Sequence, residues 1–155
     1  MDPAILVTKL FVPATRSELV RRPRLTRLMQ SGQTGKLTLI SAPAGFGKTT
    51  VVTEWLGTLD ATVAWLSLDK GDNDLARFLT YLITGLCRVG ALESSVGAQV
   101  IARLLEPQPA PAESLLIALV NHLADGSPRV IVVLDDFHVI DAPDVLAAVT
   151  YLLDH

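Results

Sequence analysis

No stretch constrains the fold more than Lys36 to Thr50, KLTLISAPAGFGKTT. It opens with a short apolar run, Leu37-Thr38-Leu39-Ile40, whose composition predicts a buried strand ending near Ser41. A loop of small residues follows, Ala42-Pro43-Ala44-Gly45-Phe46-Gly47. Lys48-Thr49-Thr50 then lead into a helical pattern, with Val51, Val52, Trp55, Leu56 and Leu59 on one face of a predicted helix over 47–59. Strand, small-residue loop, Gly-Lys-Thr and helix form the context of a phosphate-binding loop. The first position of the usual G-x-x-x-x-G-K-S/T pattern is Ala42 here, so the match is to a relaxed form. The competing reading is a glycine-rich turn before a surface lysine.

The chemistry explains these residue types. A polyphosphate needs backbone N–H groups wrapped closely around it, and bulky side chains would block that approach. The N-terminal end of the following helix favours an anion at the same place. Lys48 would neutralise β- and γ-phosphate oxygens, the Thr49 hydroxyl would ligate Mg²⁺, and Thr50 would reach the α-phosphate.

With 155 residues the chain has the size of one domain. Charged residues make up only 19%, below the roughly 25% usual in soluble domains, which predicts a surface partly meant to be covered by other segments. A net charge of −3 offers no global basic field for nucleic acid. Arg16, Arg21, Arg22, Arg24 and Arg27 cluster near the N-terminus and read either as a phosphate-suited patch or as a solvated helix face. The single Cys87 excludes a disulfide framework and suits a reducing cytosol, and it reads as a partly buried small hydrophobe. His122, His138 and His155 lack metal-ligand spacing. No signal peptide and no membrane-spanning run is present, so the expectation is a soluble, cytoplasmic protein with no membrane partner.

Along the chain, residues 1–32 read as an N-terminal extension and 33–155 as the main domain. Leu6, Val7, Leu10 and Phe11 are expected to pack as an extended segment, and a short helix over 24–30 would turn Leu25 and Leu28 inward. TVAWLSL, 62–68, predicts a second buried strand, closed by the cluster Asp69 to Asp74. Leu75, Phe78, Leu79, Leu82, Ile83 and Leu86 have amphipathic-helix spacing, with Asp72 or Asn73 as cap. Further helices are expected over 95–105 and 115–123, separated by the loop of Pro107, Pro109 and Pro111, and a last one over 143–153. VIVVL, 130–134, predicts a third strand buried on both faces. Buried strands separated by helices argue for a parallel α/β sheet.

Asp135 and Asp136 stand directly after that strand. Ligands of open α/β sheets sit at the carboxyl ends of the strands, where the phosphate loop also begins. A carboxylate there can hold Mg²⁺, and we assign Asp135 to the metal. Asp136 either polarises an attacking water or caps the next turn. His138 reads as a hydrogen-bonded structural residue or as a contact to a γ-phosphate or a neighbouring acid, and Asp69 as a turn-forming acid or a nucleotide-facing one.

Several blocks appear in order: Thr8-Lys9-Leu10-Phe11-Val12-Pro13, Arg22-Pro23-Arg24-Leu25, Ser41 to Thr50, Ala64-Trp65-Leu66-Ser67-Leu68-Asp69, Gly71-Asp72-Asn73-Asp74 and Leu134-Asp135-Asp136-Phe137-His138. Together they resemble the N-terminal part of the MalT-like, large ATP-binding LuxR-type transcriptional regulators, which are signal-transduction ATPases of the STAND class. Ala42 itself fits that family's loop. The resemblance implies a P-loop NTPase three-layer sandwich with a parallel sheet, incomplete because C-terminal strands are absent. It implies ATP/ADP and Mg²⁺ as cofactors, bound by residues 42–50 (Ala42, Pro43, Ala44, Gly45, Phe46, Gly47, Lys48, Thr49, Thr50). Thr49 and Asp135 would serve the metal, Asp136 would support slow hydrolysis, and Arg22-Pro23-Arg24 would lie near the base. In such regulators ADP holds the inactive monomer, ATP and inducer favour self-association, and DNA is bound only through a C-terminal helix-turn-helix domain. The resemblance further implies a strand inserted between the Asp-Asp strand and the phosphate-loop strand. Without it, flanking backbone groups would stay unpaired or the flanking strands would be forced together. The expectation is therefore a fragment, poor at hydrolysis by itself. The alternatives are a stand-alone P-loop nucleoside triphosphatase or small kinase, and a nucleotide-free scaffold.

Overall fold

Local sequence preferences are realised along most of the chain in a computed structural model that describes residues 5–14, 23–31, 35–43, 45–124 and 129–155. A 3₁₀ turn at Val7–Leu10 is followed by α1 (Pro23–Ser31), α2 (Lys48–Leu56), β1 (Thr62–Ser67) and a second 3₁₀ turn (Lys70–Asn73). Then come α3 (Leu75–Arg88), α4 (Ser94–Leu104), α5 (Ala112–Ala124), β2 (Val130–Asp135), a 3₁₀ turn (Phe137–Val139) and α6 (Pro143–Asp154). The chain divides into two compact units, one of residues 1–11 with 62–155, the other of residues 12–61.

In the larger unit β1 and β2 run parallel, with Thr62 opposite Val130 and Ser67 opposite Asp135. Parallel neighbours require a long crossover, and α3, α4 and α5 occupy it. The class is α/β with a parallel sheet, as the sequence predicts. β1 is buried through Ala64, Trp65 and Leu66, and the Trp65 indole N–H donates to Ser67 Oγ at 2.9 Å. Phe78, Leu79, Leu82, Ile83 and Leu86 of α3 are all buried at the predicted spacing, joined in one core by Leu115, Leu116, Leu119, Val145 and Ala148. Each such Leu or Phe contributes about 1.5–3 kcal/mol relative to exposure.

Three expectations about this unit are corrected. β2 is only half buried, with Val132 41% exposed, because β1 pairs it along one edge and no described element covers that side chain. The cap of α3 is Asp74, whose carboxylate accepts the Arg77 N–H at 2.8 Å; Asp69 to Asn73 are consumed by the 3₁₀ turn instead. Near the N-terminus only Leu10 is buried as predicted. Leu6, Val7 and Phe11 stay exposed because residues 7–10 wind into a 3₁₀ turn rather than an extended strip.

In the smaller unit, α1 forms where expected but buries Met29, while Leu28 is 68% exposed. Arg24 and Arg27 lie on its solvated face; Arg16, Arg21 and Arg22 lie outside the described residues. α2 ends at Leu56, three residues short of the predicted stop, where Gly57 N–H caps it on Thr53 O. The predicted strand at 37–41 does not form. Leu37 and Leu39 are 64% and 79% exposed, and residues 37–43 belong to no ladder among the described residues. A strand exists only where a neighbour takes its N–H and C=O groups.

Candidate functional site

The turn into α2 depends on two glycines. Gly45 and Gly47 have φ of 81° and 77°, in the left-handed region that side chains disfavour. A Cβ at Gly45 would meet nothing within 4 Å, and one at Gly47 nothing closer than 3.9 Å, so the backbone angle rather than crowding demands glycine. The Phe46 N–H donates to Pro43 O at 3.4 Å. The first helical bond runs from Val51 N–H to Gly47 O at 3.0 Å, so the N–H groups of Lys48, Thr49 and Thr50 belong to the first turn, at the positive end of the helix dipole. Lys48 Nζ folds back over the loop and donates to Ala42 O at 2.8 Å and Pro43 O at 3.3 Å. Ala44 lies outside the described residues. Small side chains, left-handed glycines and an ammonium held over the loop form a donor set suited to phosphate. To engage one, Lys48 would trade its two carbonyl acceptors for anionic oxygens.

The second candidate group ends β2. The Asp135 carbonyl accepts the Leu68 N–H at 3.0 Å, extending the β1–β2 ladder to the strand terminus. Its Oδ1 accepts the Asp136 N–H at 3.1 Å. Asp136 adopts φ 58°, the only positive φ of a described non-glycine residue. Such a conformation costs of order 1–3 kcal/mol and is concentrated at functional sites. Asp136 begins the 3₁₀ turn, but its side chain makes no cap hydrogen bond; its carbonyl holds the Val139 N–H instead. The Asp136 carboxylate is thus not spent on capping. His138 Nδ1 stands 3.7 Å from Asp136 Oδ1 with both side chains largely exposed, an ion pair only when the imidazole is protonated. No group of three or more His, Cys, Asp or Glu among the described residues could cage a metal. Magnesium bound beside a polyphosphate needs no cage, since one or two protein oxygens suffice.

Asp69 is a turn-forming acid. It accepts the Gly71 N–H at 2.8 Å and pairs with Lys9 at 3.0 Å and Arg77 at 3.3 Å. The Lys9 hydrogen bond, ahead of the Gly71 N–H and the nearby charges, holds its carboxyl below the ordinary value against a smaller opposing effect of burial. Arg77 is held above its usual value by its hydrogen bond to Asp72. This cluster is missed by reading motifs alone; the available signal was a single lysine inside the apolar segment Leu6 to Phe11. Cys87 is partly buried, and burial raises its thiol.

Comparison with known proteins adds a family. The family model described as AAA ATPase domain matches residues 16–155. Serine/threonine-protein kinase PknK of Mycobacterium tuberculosis is 34% identical over 158 residues, which cover 99% of this chain and 14% of PknK. HTH-type transcriptional regulator MalT of Klebsiella pneumoniae is 33% identical over 154 residues, 97% of this chain and 16% of that protein. MalT of Vibrio parahaemolyticus is 34% identical over 148 residues, 96% of the chain and again 16% of MalT. The chain thus spans 14–16% of the length of these relatives.

Proposed function

The chain belongs to the AAA ATPase domain family, and from that premise we propose that it is the ATP-binding switch module of a LuxR/MalT-type transcriptional regulator. The observation that carries the reading is the turn at Gly45 and Gly47, which delivers Lys48, Thr49 and Thr50 at the start of α2. Two relatives with different printed activities, a protein kinase and a helix-turn-helix regulator, match this same stretch over a small share of their lengths. That supports a module that both contain rather than either whole activity.

In this reading residues 33–155 are the nucleotide-binding part and 1–32 an extension. Backbone groups of Ala42 to Thr50 hold the phosphates, and Lys48 neutralises their oxygens. Thr49 and Asp135 supply the oxygens for Mg²⁺, which when bound offsets phosphate charge. Asp136, strained and uncapped, orients water for slow hydrolysis. The module works in the cytoplasm, self-associates with ATP, and reaches DNA only through a domain elsewhere in the full regulator.

The test is titration with a fluorescent ATP analogue in Mg²⁺. Hydrogen bonds to charged groups contribute about 1.5–3 kcal/mol, so Lys48→Ala should weaken binding about 10- to 150-fold. Asp135→Asn should lose the Mg²⁺-dependent part of affinity while keeping the Mg²⁺-free part. Equal affinity of wild type and Lys48→Ala would refute the reading.

A further inference from the structure

The cluster around Lys9 takes no part in the proposed chemistry, yet it holds the most deeply buried charges described. Lys9 is 6% exposed, and its ammonium donates to Asp72 Oδ2 and to Asp69 Oδ2 while lying 4.5 Å from the centre of the Tyr81 ring. Asp72 is wholly buried and has two further donors, Arg77 Nε at 3.1 Å and the Asp69 N–H at 2.8 Å. The segment bearing Lys9 has further anchors at its two ends. Ile5 packs against the core, Leu10 is buried, the Leu6 N–H donates to Tyr81 Oη at 3.0 Å, and the Arg88 guanidinium lies 4.1 Å from the centre of the half-exposed Phe11 ring.

The partners of Asp72 make the Lys9 contact releasable. When one partner of a buried ion pair is removed, the penalty comes from the charge left behind. Asp72 would keep Arg77 and a backbone N–H if Lys9 withdrew, and Lys9 would withdraw into water, so neither charge is stranded.

We propose that residues 5–11 are a releasable strap on the larger unit, pinned by Lys9 on the Asp72–Arg77 pair. The strap is independent of nucleotide chemistry and holds whatever residues 42–50 bind.

Hydrogen exchange on the intact 155-residue chain tests the pin. Lys9→Met keeps the apolar stem and removes the charge. It should speed exchange of the Leu6 and Lys9-position amides about tenfold or more while β1 and α3 keep their protection. Lys9→Arg should restore slow exchange. Unchanged exchange in 5–11 would overturn the pin, and so would equal loss across β1 and α3, which would mark the cluster as general core support. Should Lys9→Met not fold, native-state exchange of wild type in mild denaturant decides: the Leu6 and Lys9 amides must open before those of β1, and opening only together refutes the strap.

Discussion

Among single residues Asp69 shows best how tertiary context resets chemistry. By sequence it is one acid in a turn, yet in the fold its carboxylate accepts from Lys9, Gly71 and Arg77. Its folded value is depressed, so its contribution to stability is complete above the ordinary aspartate value of about 3.9 and is lost as pH falls through the lower folded value. Acid unfolding followed by tryptophan fluorescence should therefore be shallower for Asp69→Asn than for wild type below about pH 4. The two profiles should run parallel from pH 6 to 8. Because the Asp69 side chain is half exposed, solvent screening limits the effect to roughly 1 kcal/mol or less. Gly45 and Gly47 are the counter-example, since their demand for glycine is written in the motif and confirmed in their backbone angles.

At the scale of elements the sharpest constraint is the α3–α4 contact. A Cβ added at Gly97 would lie 2.3 Å from Cys87 Sγ and 3.2 Å from Ile83 Cγ2. Gly97→Ala gains helix propensity but overpacks this contact, for a net loss of about 1–2 kcal/mol in urea unfolding. Adding Cys87→Ala to Gly97→Ala should recover most of that loss, a coupling that a double-mutant cycle measures. Amphipathic helices such as α3 were legible because period and burial coincide along one short stretch. The expected strand at 37–41 was not, although its apolar run is just as clear. Helices satisfy their own backbones, whereas a strand depends on a partner that local sequence does not name.

For the whole molecule the proposed nucleotide site makes a thermodynamic demand. A ligand that binds only the native state at one hundred times its dissociation constant stabilises by about 2.7 kcal/mol. MgATP should therefore raise the thermal midpoint of wild type by about 5–11 °C at this chain length, and that of Lys48→Ala by about half as much or less. No helix among the described residues is long and apolar enough to cross a membrane.

The sequence alone determined the glycine turn into α2, the Asp-Asp strand end, the amphipathic helices and the parallel α/β class. Each is encoded in neighbours within one or two turns or one strand length, where side-chain period and backbone preference act together. Tertiary structure alone decided that residues 37–43 lie outside the sheet, that Val132 is left half covered, and that Lys9 is buried against acids 60 and 63 residues away. Those outcomes turn on which groups are brought within hydrogen-bonding reach, and a buried charge or an unpaired strand is stable only through partners that distant parts of the chain supply.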